Sequence, residues 1–183
     1  MFSYIYISDK FYGTHQPAIW MGDYGYISFM PQTDKLKLGV NERGLKYSHQ
    51  EEIAHPYYYS IPLHKGEERI ITEHTSTTRC GFFQFSFPKD KDAFLSIEMS
   101  RLPGYKGFLK IIPEKRQIVG YNADWHNTIN GKNMGAELNN LKGYFVMEFD
   151  TDFSTFGTYS LKTDKSSLAN QISKNAVIFG KRN

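Results

Sequence analysis

An all-β fold, an antiparallel two-sheet β-sandwich with little helix, is what this sequence predicts, and three observations predict it. Of 183 residues, 14 are Phe and 13 are Tyr, and most sit in short runs where apolar and polar residues alternate, the pattern of half-buried strands. About ten such runs are punctuated by Pro, Gly, Asn and Asp, which turn a chain. Helical periodicity is almost absent. Only Lys165 to Ser173, with Leu168 and Ile172 four apart, suggests a helix, and two apolar positions are thin support for one.

The strands follow in order. Phe2 to Ile7 and Tyr24 to Met30 open the chain, and Tyr57 to Leu63 and Glu68 to His74 come next. Successive side chains of a strand face opposite sides. Phe83, Phe85 and Phe87 therefore share a core face against Phe82, Gln84 and Ser86. The same period sets Leu95, Ile97 and Met99 against Ser96 and Glu98, and Phe145, Met147 and Phe149 against Tyr144, Val146 and Glu148. Gly107 to Ile112, Gln117 to Asn122 and Ala176 to Phe179 complete the set. Pro88 to Asp92, Pro103-Gly104, Pro113 to Arg116 and the polar run Asn127 to Asn133 read as turns or loops.

This length is most simply one domain over residues 1–183, large enough to bury a core without disulfides or a metal. A net charge of +3, from 22 basic and 19 acidic side chains interspersed along the chain, gives no field suited to nucleic acid. No stretch has the length and apolarity of a membrane-spanning helix, and Met1 to Lys10 lacks the pattern of a signal peptide. The single Cys80 lies in an apolar context and reads as a small buried hydrophobe. Six scattered His residues show no zinc spacing, and no acidic run matches a calcium loop, so no metal site is expected within the chain.

Two dense blocks carry the information about function. The first, Tyr47 to Pro88, contains Ser48, His49, Glu52, Ala54, Pro56, Tyr58, Tyr59 and Leu63, then Glu73, Thr75, Thr77, Arg79, Gly81, Phe85, Phe87 and Pro88. Glu73, Thr75, Thr77 and Arg79 alternate and suit a cross-strand polar ladder. Ser48, His49 and Glu52 fall within five residues of one loop, which fits fixing the turn before Pro56 or lining an interface better than a nucleophile, base and acid. The second block reads THQPAIWMGDYG from Thr14 to Gly25. There Trp20 can pack on the apolar face of a sugar while His15, Gln16 and Asp23 bond its hydroxyls. His15 and Trp20 could instead simply pin a long loop to the sheet, and the sequence leaves both readings open.

Together with Ile111-Ile112-Pro113, Val119-Gly120-Tyr121 and Gly143 to Val146, these blocks resemble the N-terminal domain of the glycoside hydrolase family 92 α-mannosidases, over roughly residues 4 to 150. The resemblance implies a supersandwich-like architecture. It also implies that the domain lends loop residues to a mannoside pocket where it meets a large helical catalytic domain. Family members use calcium and invert the anomeric centre with paired carboxylates, and the resemblance places those carboxylates and most calcium ligands in the helical domain. The expected function is thus a non-catalytic sandwich, either a piece of a mannosidase or a shortened descendant of one. Its expected partners are an α-mannoside and a helical catalytic domain. A stand-alone mannose-binding module and a sandwich that assembles with itself are the alternatives. Members of the family are commonly exported, which leaves localisation open.

Overall fold

A computed structural model describes residues 6–8, 11–12, 27–98, 108–122, 128–129, 132–133, 142–159 and 175–180. The predicted helix at Lys165 to Ser173 and the Pro103-Gly104 turn lie outside them. In chain order the strands are β1 (Tyr6–Ser8), β2 (Phe11–Tyr12), β3 (Ser28–Thr33), β4 (Leu45–Tyr47), β5 (Ile53–His55), β6 (Tyr58–Lys65), β7 (Glu68–Ser76) and β8 (Gly81–Ser86). They continue as β9 (Ala93–Glu98), β10 (Phe108–Ile112), β11 (Gln117–Asn122), β12 (Thr128–Ile129), β13 (Lys132–Asn133), β14 (Gly143–Glu148), β15 (Thr155–Tyr159) and β16 (Asn175–Gly180). One short helix, α1 (Val40–Arg43), precedes β4.

All pairings are antiparallel, as in a sandwich. The first sheet runs β1-β4-β6-β7-β8, with β5 also paired to β6. The second runs β15-β16-β9-β3-β2, the third β10-β11-β14, and β12 and β13 form a small hairpin. That hairpin lies inside the polar run Asn127 to Asn133, where a loop is expected. Strands of two or three residues carry too little periodicity to be seen in sequence, which hides β2, β4 and β5 as well.

The alternation of aromatic residues places the core. Ile27, Phe29, Ile97, Leu109 and Ile118 are buried together, with Phe83, Phe85, Phe145, Met147 and Phe149 packed around them. Met30, Leu63 and Ile70 form a second cluster with Phe87 against it. On the opposite faces Phe82, Tyr144 and Val146 are exposed, as the period of two requires. In β9 that rule fails: Leu95 and Ile97 join the core, yet Ser96 and Glu98 are also buried. The strand is central in its sheet and covered on both sides, so its polar face must find partners inside the protein. Ser96 Oγ donates to Met30 O at 3.2 Å and accepts from Gln32 Nε2 at 3.3 Å.

Cys80 is exposed, contrary to expectation. The strand begins only at Gly81, and Cys80 belongs to the preceding turn, where its N–H bonds Thr77 Oγ1 at 3.2 Å. The polar ladder is shortened accordingly. Glu73 and Thr75 lie on β7, while Thr77 and Arg79 fall in the turn.

One end of the sandwich is closed by charge. Asp34, in a left-handed conformation at φ 60°, meets Lys65 Nζ at 2.8 Å and Lys91 Nζ at 3.1 Å. Lys91 also meets Glu68 at 2.6 Å, and Thr33 Oγ1 donates to Glu68 at 3.2 Å. The exit of β3, the β6–β7 hairpin and the β8–β9 turn are thereby tied together.

Thr72 is fully buried on the core face, in register with Ile61 and Phe85, and its hydroxyl has no hydrogen-bond partner. A buried unpaired hydroxyl costs about 1–3 kcal/mol. Replacing Thr72 with Val keeps the shape and removes that cost, so Thr72→Val is expected to raise the urea midpoint by about 1 kcal/mol of stability. A lowered midpoint would show that the hydroxyl is satisfied.

Candidate functional site

The end of the second sheet opposite the charged clip is where the strands that bracket the Thr14 to Gly25 block end. Tyr12 pairs with Ser28, and Ser28 pairs with Glu98. Across the same sheet Tyr159 pairs with Asn175. The chain therefore leaves the described strands at Tyr12, Glu98 and Tyr159 from one end. His15, Gln16, Trp20 and Asp23 all lie outside the described residues, and the strand positions that bracket them, Tyr12 and Ser28, are neighbours in this register.

Beneath that end sits a polar cluster with no sequence signature. Arg43, at the end of α1, contacts Glu98 through both guanidinium nitrogens, Nη1 to Oε1 at 2.6 Å and Nη2 to Oε2 at 2.7 Å. Both side chains are almost fully buried. Tyr159 donates its hydroxyl to Glu98 Oε1 at 3.4 Å. Burial first, and the Glu98 charge second, push the Tyr159 phenol well above its usual range. Such a fork is the strong form of an ion pair, and it joins the segment before β4 to the second sheet at the register position of Ser28.

The Ser48-His49-Glu52 stretch is a clamp with two jaws. β4 and β5 both lie along β6, and the loop between them, residues 48–52, bulges out. Glu51 reaches one face of the first sheet, contacting His64 Nε2 at 2.6 Å and Arg69 Nη2 at 2.6 Å. Glu52 turns the opposite way to Tyr59 and His49. His49 is itself held edge-on against Tyr6 and Tyr47, with ring centroids 4.5 and 5.4 Å away. Adjacent carboxylates thus grip opposite faces, which supports the turn-fixing role rather than a triad. Hydrogen bonds from Tyr59 and His49 hold the Glu52 carboxyl below its ordinary range. Burial and the Glu52 bond push the Tyr59 phenol up. From Tyr59 a ring contact leads to His74 at 4.9 Å and on to Phe83 at 5.3 Å. Burial holds His74 below the usual imidazole range, and its Nδ1 has no hydrogen-bond partner.

These shifts fix a pH profile. His74 is depressed, so the unfolded chain takes up the proton first, and its contribution is lost as pH falls below about 6.5. Glu52, Asp34 and Glu68 are depressed as well, so a second loss follows below about pH 4. Tyr59 and Tyr159 are raised, and their contribution fades as pH rises above about 10. Urea midpoints should be flat between about pH 7 and 10, and His74→Phe should remove the step between about pH 5 and 7. An unchanged step in that variant would assign it to another group.

Among the described residues no three His, Cys, Asp or Glu side chains come together as a metal-binding group.

The same fold occurs in enzymes. An inverting mannosidase of family GH92 from Bacteroides thetaiotaomicron VPI-5482 is 30% identical over 97% of this chain, with a TM-score of 0.73. A family GH92 α-mannosidase from Bacteroides thetaiotaomicron shares the fold at TM-score 0.60 over 85% of the chain and 21% identity. Its complex with mannoimidazole does so at 0.57 over 85% and 19% identity. The chain spans 22%, 22% and 23% of these proteins, under a quarter of their length. No curated protein sequence matches it. The glycosyl hydrolase family 92 N-terminal domain, in contrast, matches residues 7–181, and this chain belongs to that family.

Proposed function

We propose that this chain serves as the sandwich domain of an α-mannosidase. It packs on a helical catalytic domain, lends Trp20, Asp23, His15 and Gln16 to a mannoside pocket, and hydrolyses nothing alone. The observation that carries this reading is the asymmetry of the match: 97% of this chain aligns with only 22% of an inverting mannosidase. The duties of the acids agree with it. Glu51 holds His64 and Arg69, Glu52 holds His49 and Tyr59, Glu68 holds Lys91, Glu73 accepts from Tyr58 at 2.6 Å, and Glu98 holds Arg43. Carboxylates committed to neighbours in this way suit a scaffold, whereas inverting hydrolysis needs a protonated acid and a water-activating base facing a sugar.

The test is mannose release from α-mannobiose with calcium present. The chain alone should match a heat-inactivated blank. Mixed with a separately produced helical domain of a family relative it should support turnover, which should fall about tenfold or more with Trp20→Ala. Turnover by the chain alone, or equal turnover with and without it, would overturn the reading.

A further inference from the structure

The third sheet carries an aromatic row that neither the core nor the Thr14–Gly25 loop accounts for. Phe108, Tyr121 and Tyr144 are register partners across β10, β11 and β14. Their rings make one line, Phe108 to Tyr121 at 5.6 Å with planes 21° apart, and Tyr121 to Tyr144 at 5.7 Å edge to face. The opposite face of the sheet, with Leu109 and Ile118, is in the core, so the row lies on the outer face. Phe108 is 45% exposed, Tyr144 75%, and Val146 beside them 61%. Lys142 Nζ sits 4.3 Å from the centre of the Tyr121 ring, adding a mobile donor at the edge of the row.

We infer that this row is a carbohydrate platform that holds a sugar unit of an α-mannoside chain outside the pocket; the choice of mannoside rests on the function proposed above. The exposed Phe108 and Tyr144 rings offer stacking faces to the apolar sides of hexoses, and the Tyr hydroxyls and Lys142, which sits over the half-buried Tyr121 ring, offer hydrogen bonds to their hydroxyls. Three rings in line span roughly two sugar units. The face is small: three strands about 4.8 Å apart and six residues long present roughly 250 Å², a size that suits a sugar unit and lies below the about 800 Å² per side of a whole protein interface. The central strand of the platform, β11, is paired on both sides.

Isotope-labelled full-length chain is titrated with α-mannotriose and, separately, cellotriose, for the wild type, Tyr144→Ala and Trp20→Ala. Tyr144 is so exposed that its removal should leave the thermal midpoint unchanged. Saturable shifts in the Tyr144 and Lys142 region with mannotriose, weakened about tenfold by Tyr144→Ala and retained in Trp20→Ala, establish the platform. Binding that survives Tyr144→Ala but is lost in Trp20→Ala overturns it while leaving the pocket reading intact. No saturable shift in the wild type overturns it too, whatever the turnover assay gives. Concentration-dependent sedimentation abolished by Tyr144→Ala would show instead a surface for a second copy of the chain. Equal shifts with cellotriose would remove the mannoside assignment and, with it, the proposal.

Discussion

Replacing Glu98 with alanine is expected to lower the unfolding free energy by about 3–5 kcal/mol. The carboxylate meets Arg43 at 2.6 and 2.7 Å and accepts from Tyr159, and the Arg43 side chain is about 1% exposed. Removing one partner takes the bidentate carboxylate from a buried guanidinium, and most of its desolvation cost then goes unmatched. Arg43→Ala should cost about as much by the same reasoning. The pair as a whole is a different matter, because two buried charges recover little more than the cost of burying them. Arg43→Met combined with Glu98→Leu should therefore regain most of the loss, and chemical denaturation of the wild type, Arg43→Met, Glu98→Leu and their double variant measures the coupling. If Glu98→Ala alone is within about 1 kcal/mol of wild type, water reaches the cluster and the pair is not a fastener.

That pair also shows where sequence reading reaches its end. The strands of the core were legible because Phe83 and Phe85, or Phe145 and Met147, repeat at the spacing that puts them on one face. The same rule assigned Ser96 and Glu98 to a solvent face. It failed because exposure depends on what covers a sheet, and β9 is covered by residues distant in sequence. Arg43 is 55 positions from Glu98, and nothing in either neighbourhood announces the other. Cys80 sits in the turn before β8, and even a strand reaching it would set it on the outer face with the exposed Phe82, which the apolar context alone does not reveal. Ser48, His49 and Glu52 were legible in outline: five adjacent residues pointed to a fixed turn, but only the geometry shows Glu51 and Glu52 gripping opposite faces. Of the candidate sugar contacts, Trp20, Asp23, His15 and Gln16 rest on the sequence alone. Phe108, Tyr121 and Tyr144 came from register, which is set by pairings the sequence does not state.

Gly120→Ala is the second substitution expected to be severe. Gly120 lies in the centre of β11, opposite Leu109 on one side and Phe145 on the other. A Cβ built on it would stand 2.1 Å from the carbonyl oxygen of Phe108 and 2.9 Å from two atoms of the Phe145 ring. The ring alone could swing aside. The carbonyl cannot, because it belongs to the backbone of the neighbouring strand, and moving it opens the β10–β11 ladder. Overpacking of a well-filled core costs about 1–3 kcal/mol when only side chains must adjust, so a backbone displacement should cost about 3 kcal/mol or more. Two comparisons separate the causes. If Phe145→Leu in the Gly120→Ala background restores stability, the ring was the obstacle; if the double variant is as unstable as the single, the carbonyl is. The second outcome is expected. It would also disturb Phe108 and Tyr121, which flank the site, so the aromatic row should lose its ring contacts in the same variant, visible as changed aromatic resonances. Gly120→Ala with a thermal midpoint within about 2 °C of wild type would mean that the two strands can part without penalty, and that the row stands on a softer sheet than its pairing implies.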